Sequence, residues 1–315
     1  MESDRILRFL QSTTCYDLLP LSSKQVVFDR NLLVKKALAA LLQHSLQAAA
    51  LWDTHSHSFC GLLTVTDFIL LILYYYQAPS PEEENINQLR ISRLKEIVMK
   101  NNVNYSLHPM DSILDAAHTL LQHKLHRLPL IDASPPSTPG NDHQETLLYI
   151  MNQYHILACL ASWLFESSDL DLAFLDFTPE SQGIGTFAPN LASVDSTTPL
   201  INLLSLFISQ GVSSLPVLDS EGRVETVVEK YDVLNLAREG HRYDLALPLS
   251  EALKSRQFNE NINRIHVCSQ RDTIRGMMDL IRRRRVHRFI VQTDDAKLVG
   301  IVGLSDLLAF FIKQR

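Results

Sequence analysis

The sequence predicts an α/β protein, of the α+β kind, in which one unit of helix, strand, turn, strand and helix occurs four times. The segment HKLHRLPLID at 123–132 recurs as RRVHRFIVQT at 284–293. Looser copies are HSLQAAALWD at 44–53 and GVSSLPVLDS, which begins at Gly211. Each copy follows a stretch with apolar residues at helical spacing and precedes a second apolar strand.

The spacing of the copies indicates a repeat of small domains. The aligned positions Asp53, Asp132, Asp219 and Thr293 lie 79, 87 and 74 residues apart. This period exceeds the roughly 20–50 residues that are typical of solenoid repeats. Because a unit of this size is marginally stable alone, we expect the units to pair with one another.

Composition narrows the class of protein. The chain has 315 residues and a formal net charge of −6, which argues against a general nucleic-acid binder. Its four cysteines lie far apart, as expected for a reduced intracellular protein without disulfides or zinc. The apolar run at 68–76 is too short to span a membrane, and the N-terminus does not resemble a signal peptide. We therefore expect a cytoplasmic protein without nucleic-acid or membrane partners.

The first half of the chain contains a lead-in and two units. Residues 1–30 form the lead-in, whose short helix we expect to pack on the first unit. Unit one spans 31–77 and ends in a helix that runs from about Asp67 to Tyr76. After a connector at 78–101, unit two spans 102–166. Its turn is expanded at 133–146 into a proline- and serine-rich segment, which predicts a mobile surface loop.

The second half contains two more units. A linker at 167–185 leads into unit three, which spans 186–240 and contains the strand SLPVLD and the turn SEGR. Unit four spans 259–315 and ends in the helix LSDLLAFFI. The basic run Arg282–Arg285 leaves a nuclear location open, although basic residues also favour a helix C-terminus.

These motifs resemble the cystathionine-β-synthase (CBS) repeat. Four such repeats, together with CYDLLP, VVFD, AAALWD, GLLTVTDF, IGTF, DVLNLA and VHRFIV, resemble the gamma regulatory subunit of the AMP-activated protein kinase family, and its fungal members in particular. The resemblance covers roughly residues 15–315. It implies two pseudo-symmetric pairs of repeats stacked into a flat disc. It also implies clefts for AMP, ADP and ATP, no cofactor, and a heterotrimer with a catalytic alpha and a scaffolding beta subunit.

One aligned column consists of Asp67, His155, Asp232 and Asp306. A carboxylate here can accept hydrogen bonds from both hydroxyls of a ribose. Because the column also lies at a helix start, plain capping is the alternative. The family resemblance favours ribose binding at the three aspartates, and it implies that unit two lacks a site.

A second column carries the pairs His126–Arg127 and His287–Arg288. Arginine offers a planar fork for phosphate, and histidine adds a donor that is partly charged near neutral pH. The resemblance implies that both pairs hold phosphates at the centre of the disc. The alternative is an exposed basic pair between helix and strand. The resemblance also implies further cleft-lining residues: Thr186, Ala192, Val212, Ser213, Ser214 and Ser305.

Two positions depart from the vertebrate pattern. Gln47 stands where an arginine is found, and Tyr154 stands where a lysine is found. Each charged hydrogen bond contributes roughly 1.5–3 kcal/mol, so these changes are expected to weaken phosphate binding in at least one cleft.

No catalytic signature occurs in the sequence, so we expect a regulatory subunit and not an enzyme. Two alternatives remain open. One is an assembly subunit of the same kinase with little nucleotide regulation, which Gln47, Tyr154 and His155 favour. The other is a stand-alone CBS protein that regulates another enzyme or a transporter.

Overall fold

A computed structural model of the chain describes residues 2–77, 88–98, 104–133, 145–232, 244–254 and 265–313, and it has the predicted mixed α/β class. The N-terminal half forms α1 (Glu2–Ser12), β1 (Val27–Asp29), α2 (Val34–Gln43), β2 (Ala48–Asp53), β3 (Ser58–Thr64), α3 (Val65–Gln77), α4 (Ile91–Val98), α5 (Ile113–Gln122), β4 (Arg127–Asp132), β5 (Thr146–Asn152) and α6 (Gln153–Glu166).

The C-terminal half repeats the order of a helix followed by a two-stranded hairpin in each of its two units. It forms β6 (Thr186–Phe187), β7 (Val194–Asp195), α7 (Leu200–Ser209), β8 (Ser214–Leu218), β9 (Val224–Glu229), α8 (Leu249–Lys254), β10 (Ile265–Ser269), α9 (Ile274–Arg283), β11 (Arg288–Gln292), β12 (Leu298–Gly303) and α10 (Leu304–Lys313).

The first helix of each unit buries the apolar residues that its sequence spacing predicts. Ser112 caps the N-terminus of α5, because its side chain accepts the Asp115 N–H. Thr273 caps α9 in the same way by accepting the Gly276 N–H. In all four units, the residues that the first helix buries recur at the spacing of one helical face. They are Val34, Ala37 and Leu41 in α2; Ile113, Ala116, Ala117 and Leu120 in α5; Leu200, Leu203, Leu204 and Phe207 in α7; and Ile274, Met277, Met278 and Ile281 in α9.

The four hairpins share one register. Each is antiparallel, and the first residue of its leading strand pairs with the residue three places before the carboxylate column. The pairs are Ala48 with Thr64, Arg127 with Asn152, Ser214 with Glu229, and Arg288 with Gly303. A short parallel strand (β1, β7 or β10) joins three of the hairpins, and unit two keeps one parallel bridge between Leu107 and Leu130. In units two and four, the arginine of the His–Arg pair therefore lies beside the residue three places before the carboxylate column.

The units form a ring through two kinds of contact. Helices of units one and three share one apolar core, and helices of units two and four share the other. Unit one meets unit two where the Phe59 N–H donates to Glu145 over 2.6 Å. Unit three meets unit four where the Val224 N–H donates to the Ala296 carbonyl over 3.2 Å. This arrangement confirms the stacked pairs that the family resemblance implies.

The two ends of the lead-in pack in different places: β1 pairs with β2 of unit one, as predicted, whereas α1 does not pack on unit one. Ile6 and Leu10 of α1 are buried in the core of units two and four, not against unit one. Phe9 stacks on Trp163 of α6 with ring centroids 4.4 Å apart. For α1 the expectation was wrong, because its apolar face packs against α5 and α10.

Strand β6, at the start of the predicted unit three, lies in the sheet of unit four. Thr186 and Phe187 pair with β12 of unit four. Glycines permit this close approach, because a Cβ on Gly300 would lie 2.4 Å from the Phe187 ring. A Cβ on Gly185 would lie 2.7 Å from the Ile301 carbonyl oxygen. The predicted linker before it is packed too, since Leu175 and Ile184 are buried.

Some predictions fall outside the described residues. They include 134–144 of the predicted mobile loop, 78–87 and 99–103 of the connector, and 233–243, which contains most of the last predicted helix of unit three. The apolar run at 68–76 lies within α3, which buries Phe68, Ile69, Leu71 and Leu73. In the described part of the chain, no helix has the length and apolar character needed to cross a bilayer.

Candidate functional site

The four units surround a cavity of about 420 Å³, which we call the central cavity. Its wall includes Asp67 from unit one, Arg127 from unit two, Lys230 from unit three and Arg288 from unit four. These residues lie at hairpin starts or helix starts, which the shared register directs to the middle of the ring. A volume of this size is in the range of small-molecule sites.

The central cavity is basic although the chain is acidic overall. Its wall carries the cationic side chains of Lys95, Lys124, Arg127, Lys230 and Arg288 and the acidic side chains of Asp67 and Glu229. By contrast, the whole chain has a formal charge of −6. Such a local excess of positive charge attracts anions into a concave site.

In unit one, both oxygens of Asp67 are engaged. Oδ2 accepts the backbone N–H of Thr64 over 2.6 Å, and Oδ1 lies 2.8 Å from Lys95 Nζ. The Asp67 and Lys95 side chains are 4% and 10% exposed, so this is a buried ion pair. Asp67 therefore caps the start of α3, and a ribose at this position would have to share its carboxylate with Lys95.

The wall beside Asp67 is apolar and close-fitting. Phe59, Leu62 and Leu125 line the cavity here. Gly61 has a φ of +129°, and a Cβ on it would lie 2.8 Å from Asn104 Oδ1. The absence of that Cβ brings the β3 backbone against Asn104 and shapes a narrow wall that a flat apolar ring can contact.

Unit two contributes His126 and Arg127. Arg127 donates to Gln47 Oε1 over 2.5 Å, so the glutamine of unit one orients the arginine of unit two. Although His126 faces the cavity, desolvation there, with Arg127, Lys230 and Arg288 nearby, lowers its pKa to about 4. Burial first, and then the three neighbouring cations, therefore oppose protonation of this ring.

Arg288 connects units three and four. One of its terminal nitrogens donates to Ser213 Oγ over 3.0 Å, and the other lies 3.0 Å from Glu229 Oε1. His287 beside it stacks parallel to the ring of Tyr154, with centroids 5.8 Å apart and planes 3° apart. Tyr154 therefore supplies an aromatic surface at the position where the sequence led us to note a missing lysine.

Units two and four meet through Ser305, whose hydroxyl donates to Gln153 Oε1 over 3.1 Å. Units one and three meet through Lys230, whose Nζ lies 3.4 Å from Thr66 Oγ1. Burial lowers the pKa of Lys230 from its usual value. The wall of the central cavity thus joins all four units by polar contacts.

Comparison with known proteins identifies the family. A 5'-AMP-activated protein kinase subunit gamma of Saccharomyces cerevisiae is 36% identical over 313 residues, covering 98% of this chain and 93% of the relative. The chain belongs to the gamma subunits of the 5'-AMP-activated protein kinase. The corresponding subunit of Kluyveromyces lactis is 33% identical over 309 residues, covering 96% of this chain and 90% of the relative.

Other comparisons agree with this gamma-subunit assignment. Human subunit gamma-3 is 36% identical over 304 residues, which cover 96% of this chain and 59% of the human protein. A family model described as the CBS domain matches residues 184–239 and 261–313. Protein MJ1225 of Methanocaldococcus jannaschii has the same fold, with a TM-score of 0.71 and 13% identity over 95% of this chain and 100% of that one.

Seven of the predicted site residues of this gamma subunit line the central cavity. They are Asp67, His126, Arg127, Ser213, His287, Arg288 and Ser305. The other six do not line it: Asp232 and Ser214 are buried, Asp306, Val212 and Ala192 are partly buried, and Thr186 is exposed on β6. Burial raises the pKa of Asp306, against the opposing effect of the Gly303 N–H. Their roles stay predictions.

His155 replaces the carboxylate in unit two but keeps its capping contact. Its Nδ1 accepts the Asn152 N–H over 3.1 Å, and its Nε2 lies 3.2 Å from the Tyr149 hydroxyl. Burial, together with Arg285 and Arg127, lowers the pKa of His155 to about 4, so the ring is neutral at pH 7. A neutral ring with both nitrogens engaged lacks the carboxylate that ribose binding needs.

Sequence reasoning missed four charged residues of the site: Lys95, Lys124, Glu229 and Lys230. Lys124 had a signal, since it lies two places before His126 in the repeated segment HKLHRLPLID. Glu229 and Lys230 also had a signal, since they lie three and two places before Asp232 of the carboxylate column. Lys95 had no signal, because it lies in the connector helix outside the repeat.

Proposed function

We propose that this chain is the non-catalytic regulatory subunit of a heterotrimeric AMP-activated-type serine/threonine kinase, and that it senses AMP, ADP and ATP. The central cavity carries this proposal. It presents the Asp67 carboxylate beside the apolar side chains of Phe59 and Leu62, and its wall also carries the cations Lys124, Arg127, Lys230 and Arg288. This combination suits the ribose, base and phosphates of a nucleotide.

The arrangement supports a specific orientation for the ligand. The adenine ring would contact the apolar wall of Phe59 and Leu62, and the ribose hydroxyls would donate to Asp67. The phosphates would then extend toward Lys124 and Arg127. The predicted contacts at Asp232 and Asp306 would belong to further clefts of the same kind.

Discrimination between the nucleotides would depend on their phosphates. AMP, ADP and ATP share the adenosine group and differ in the number of negative charges that reach Arg127, Lys230 and Arg288. A ligand shifts the activity of the kinase only by binding its two states with different affinity. These three cationic side chains are therefore the part of the cavity that would distinguish AMP from ATP.

A second candidate is an assembly subunit with little nucleotide regulation. It is favoured by the contacts within the free chain, where Asp67 is paired with Lys95 and Arg288 with Glu229. Arg127 is likewise held by Gln47. Each of these groups would have to share or exchange its partner when a nucleotide binds.

Reconstitution with a catalytic alpha and a scaffolding beta subunit separates the two candidates. The measurement is kinase activity, with and without phosphatase treatment, in AMP and in ATP. We expect a nucleotide-dependent difference with the wild-type chain and a reduced difference with Arg288→Gln. Arg282→Gln, which removes one positive charge from the end of α9, is the matched control. Equal activity in both nucleotides would favour the assembly subunit.

The proposal includes the alpha and beta subunits as protein partners and the adenine nucleotides as ligands, without a cofactor. Neither a nucleic-acid nor a membrane partner is part of it. A cytoplasmic location, with a nuclear pool as a second possibility raised by Arg282–Arg285, stays a prediction.

A further inference from the structure

Glu229 is one of two buried acids, with Asp67, in the wall of the basic central cavity. Its Oε1 lies 3.0 Å from a terminal nitrogen of Arg288, and the two side chains are 6% and 13% exposed. Its second oxygen, Oε2, is buried and has no hydrogen-bond partner among the described residues. Among the described residues, Arg288 is thus the polar partner of the Glu229 carboxylate.

The repeat shows that the fold does not need a charge at this position. The equivalent residues at the ends of the second strands are Thr64, Asn152 and Gly303. All four donate their backbone N–H to the residue three places later, over 2.6–3.1 Å. The backbone contact is common to every unit, whereas a carboxylate occurs at this position in unit three alone.

The position of Glu229 sets it against any phosphate that approaches Arg288. The guanidinium already donates to Ser213 and pairs with Glu229. A phosphate that binds the same guanidinium is brought close to the carboxylate, and like charges repel strongly where water is largely excluded. Phosphate binding to Arg288 therefore competes with the contact between Arg288 and Glu229.

We propose that Glu229 is an internal anion that competes with ligand phosphate for Arg288 and so lowers the affinity of the central cavity for the most highly charged ligands. The identification of those ligands as adenine nucleotides rests on the proposed function. By this mechanism Glu229 sets the relative affinities for AMP and ATP, since each added phosphate increases the repulsion.

The test is calorimetric titration of the full chain with inorganic tripolyphosphate, AMP and ATP at fixed ionic strength. We expect Glu229→Gln to bind tripolyphosphate and ATP about tenfold more tightly, the effect of roughly one charged contact, and AMP by a smaller factor. Glu225→Gln is the matched control, because it removes the same charge from an exposed position on β9. It is expected to leave all three affinities unchanged.

A second variant guards against loss of the fold. Glu229→Thr introduces the residue that unit one carries at the same register, and thermal unfolding checks that both variants are folded. We expect Glu229→Thr to tighten tripolyphosphate binding in the same way. Unchanged affinity in both folded variants would overturn the inference. Weaker binding would also overturn it, since Glu229 would then be a ligand contact.

The probes separate this inference from the proposed function. Tighter tripolyphosphate binding without adenine-nucleotide binding in any variant would support the role of Glu229 and contradict the proposed function. Adenine-nucleotide binding that is equal in wild type and Glu229→Gln would support the function and overturn the inference. Failure of every probe to bind any variant would overturn both.

Discussion

At the scale of single residues, one position of the repeat fits two roles that sequence alone does not separate. Asp67, Asp232 and Asp306 all accept the backbone N–H three residues earlier, over 2.6–2.8 Å, and His155 accepts the equivalent N–H through Nδ1. Capping and ribose binding both select a short acceptor at a helix start. The column was predictable, but its role depends on neighbours such as Lys95 that lie outside the repeat.

His155 predicts a pH dependence of stability. Its folded pKa of about 4 is below the usual 6.5, so the unfolded chain binds more protons between these values. The resulting stabilisation is fully present above pH 6.5 and is lost as the pH falls toward 4. Urea unfolding should show that His155→Asn, which keeps an acceptor but does not titrate, removes about 2 kcal/mol of the difference between pH 7 and 4.5.

The control for this measurement is His57→Asn. His57 is exposed in the β2–β3 turn at a φ of +48°, a conformation that asparagine tolerates. We expect this variant to keep the pH dependence of the wild type. A His155→Asn variant with an unchanged pH dependence would show that His155 is not held neutral.

At the scale of elements, the helices and hairpins of the four units were predictable and the connecting segments were not. Apolar spacing and the repeated motif determine α2, α5, α7 and α9, because each buries one face locally. The lead-in helix, the linker at 167–185 and strand β6 depend on distant partners. Local periodicity marks α1 as amphipathic but does not specify which core receives it.

Helix α1 gives a prediction at this scale. Leu10 is fully buried in the core of units two and four, so Leu10→Ala should lower the free energy of unfolding by about 2–5 kcal/mol. Gln11→Ala, at the neighbouring exposed position, should change it by less than about 0.5 kcal/mol. Denaturant unfolding measures both. Similar small losses in the two variants would show that α1 does not belong to that core.

At the scale of the whole molecule, the resemblance predicted the paired arrangement, and seven of the thirteen predicted site residues line the central cavity. The pairs within the cavity were not predictable. Lys95 meets Asp67 where α4 packs on α3, 28 residues apart in the sequence. Glu229 meets Arg288 across 59 residues, where unit three contacts unit four. The basic centre of this acidic chain likewise emerges from the assembly of the four units.

The central claim is that adenine nucleotides place their phosphates in this basic cavity. Calorimetric titration of AMP into the full chain, followed by competition with ATP, tests it most directly. We predict saturable AMP binding that ATP displaces, about tenfold weaker in Arg127→Gln because one charged hydrogen bond is lost, and unchanged in Arg282→Gln. Absence of AMP and ATP binding, or equal affinities in the wild type and Arg127→Gln, would contradict the account.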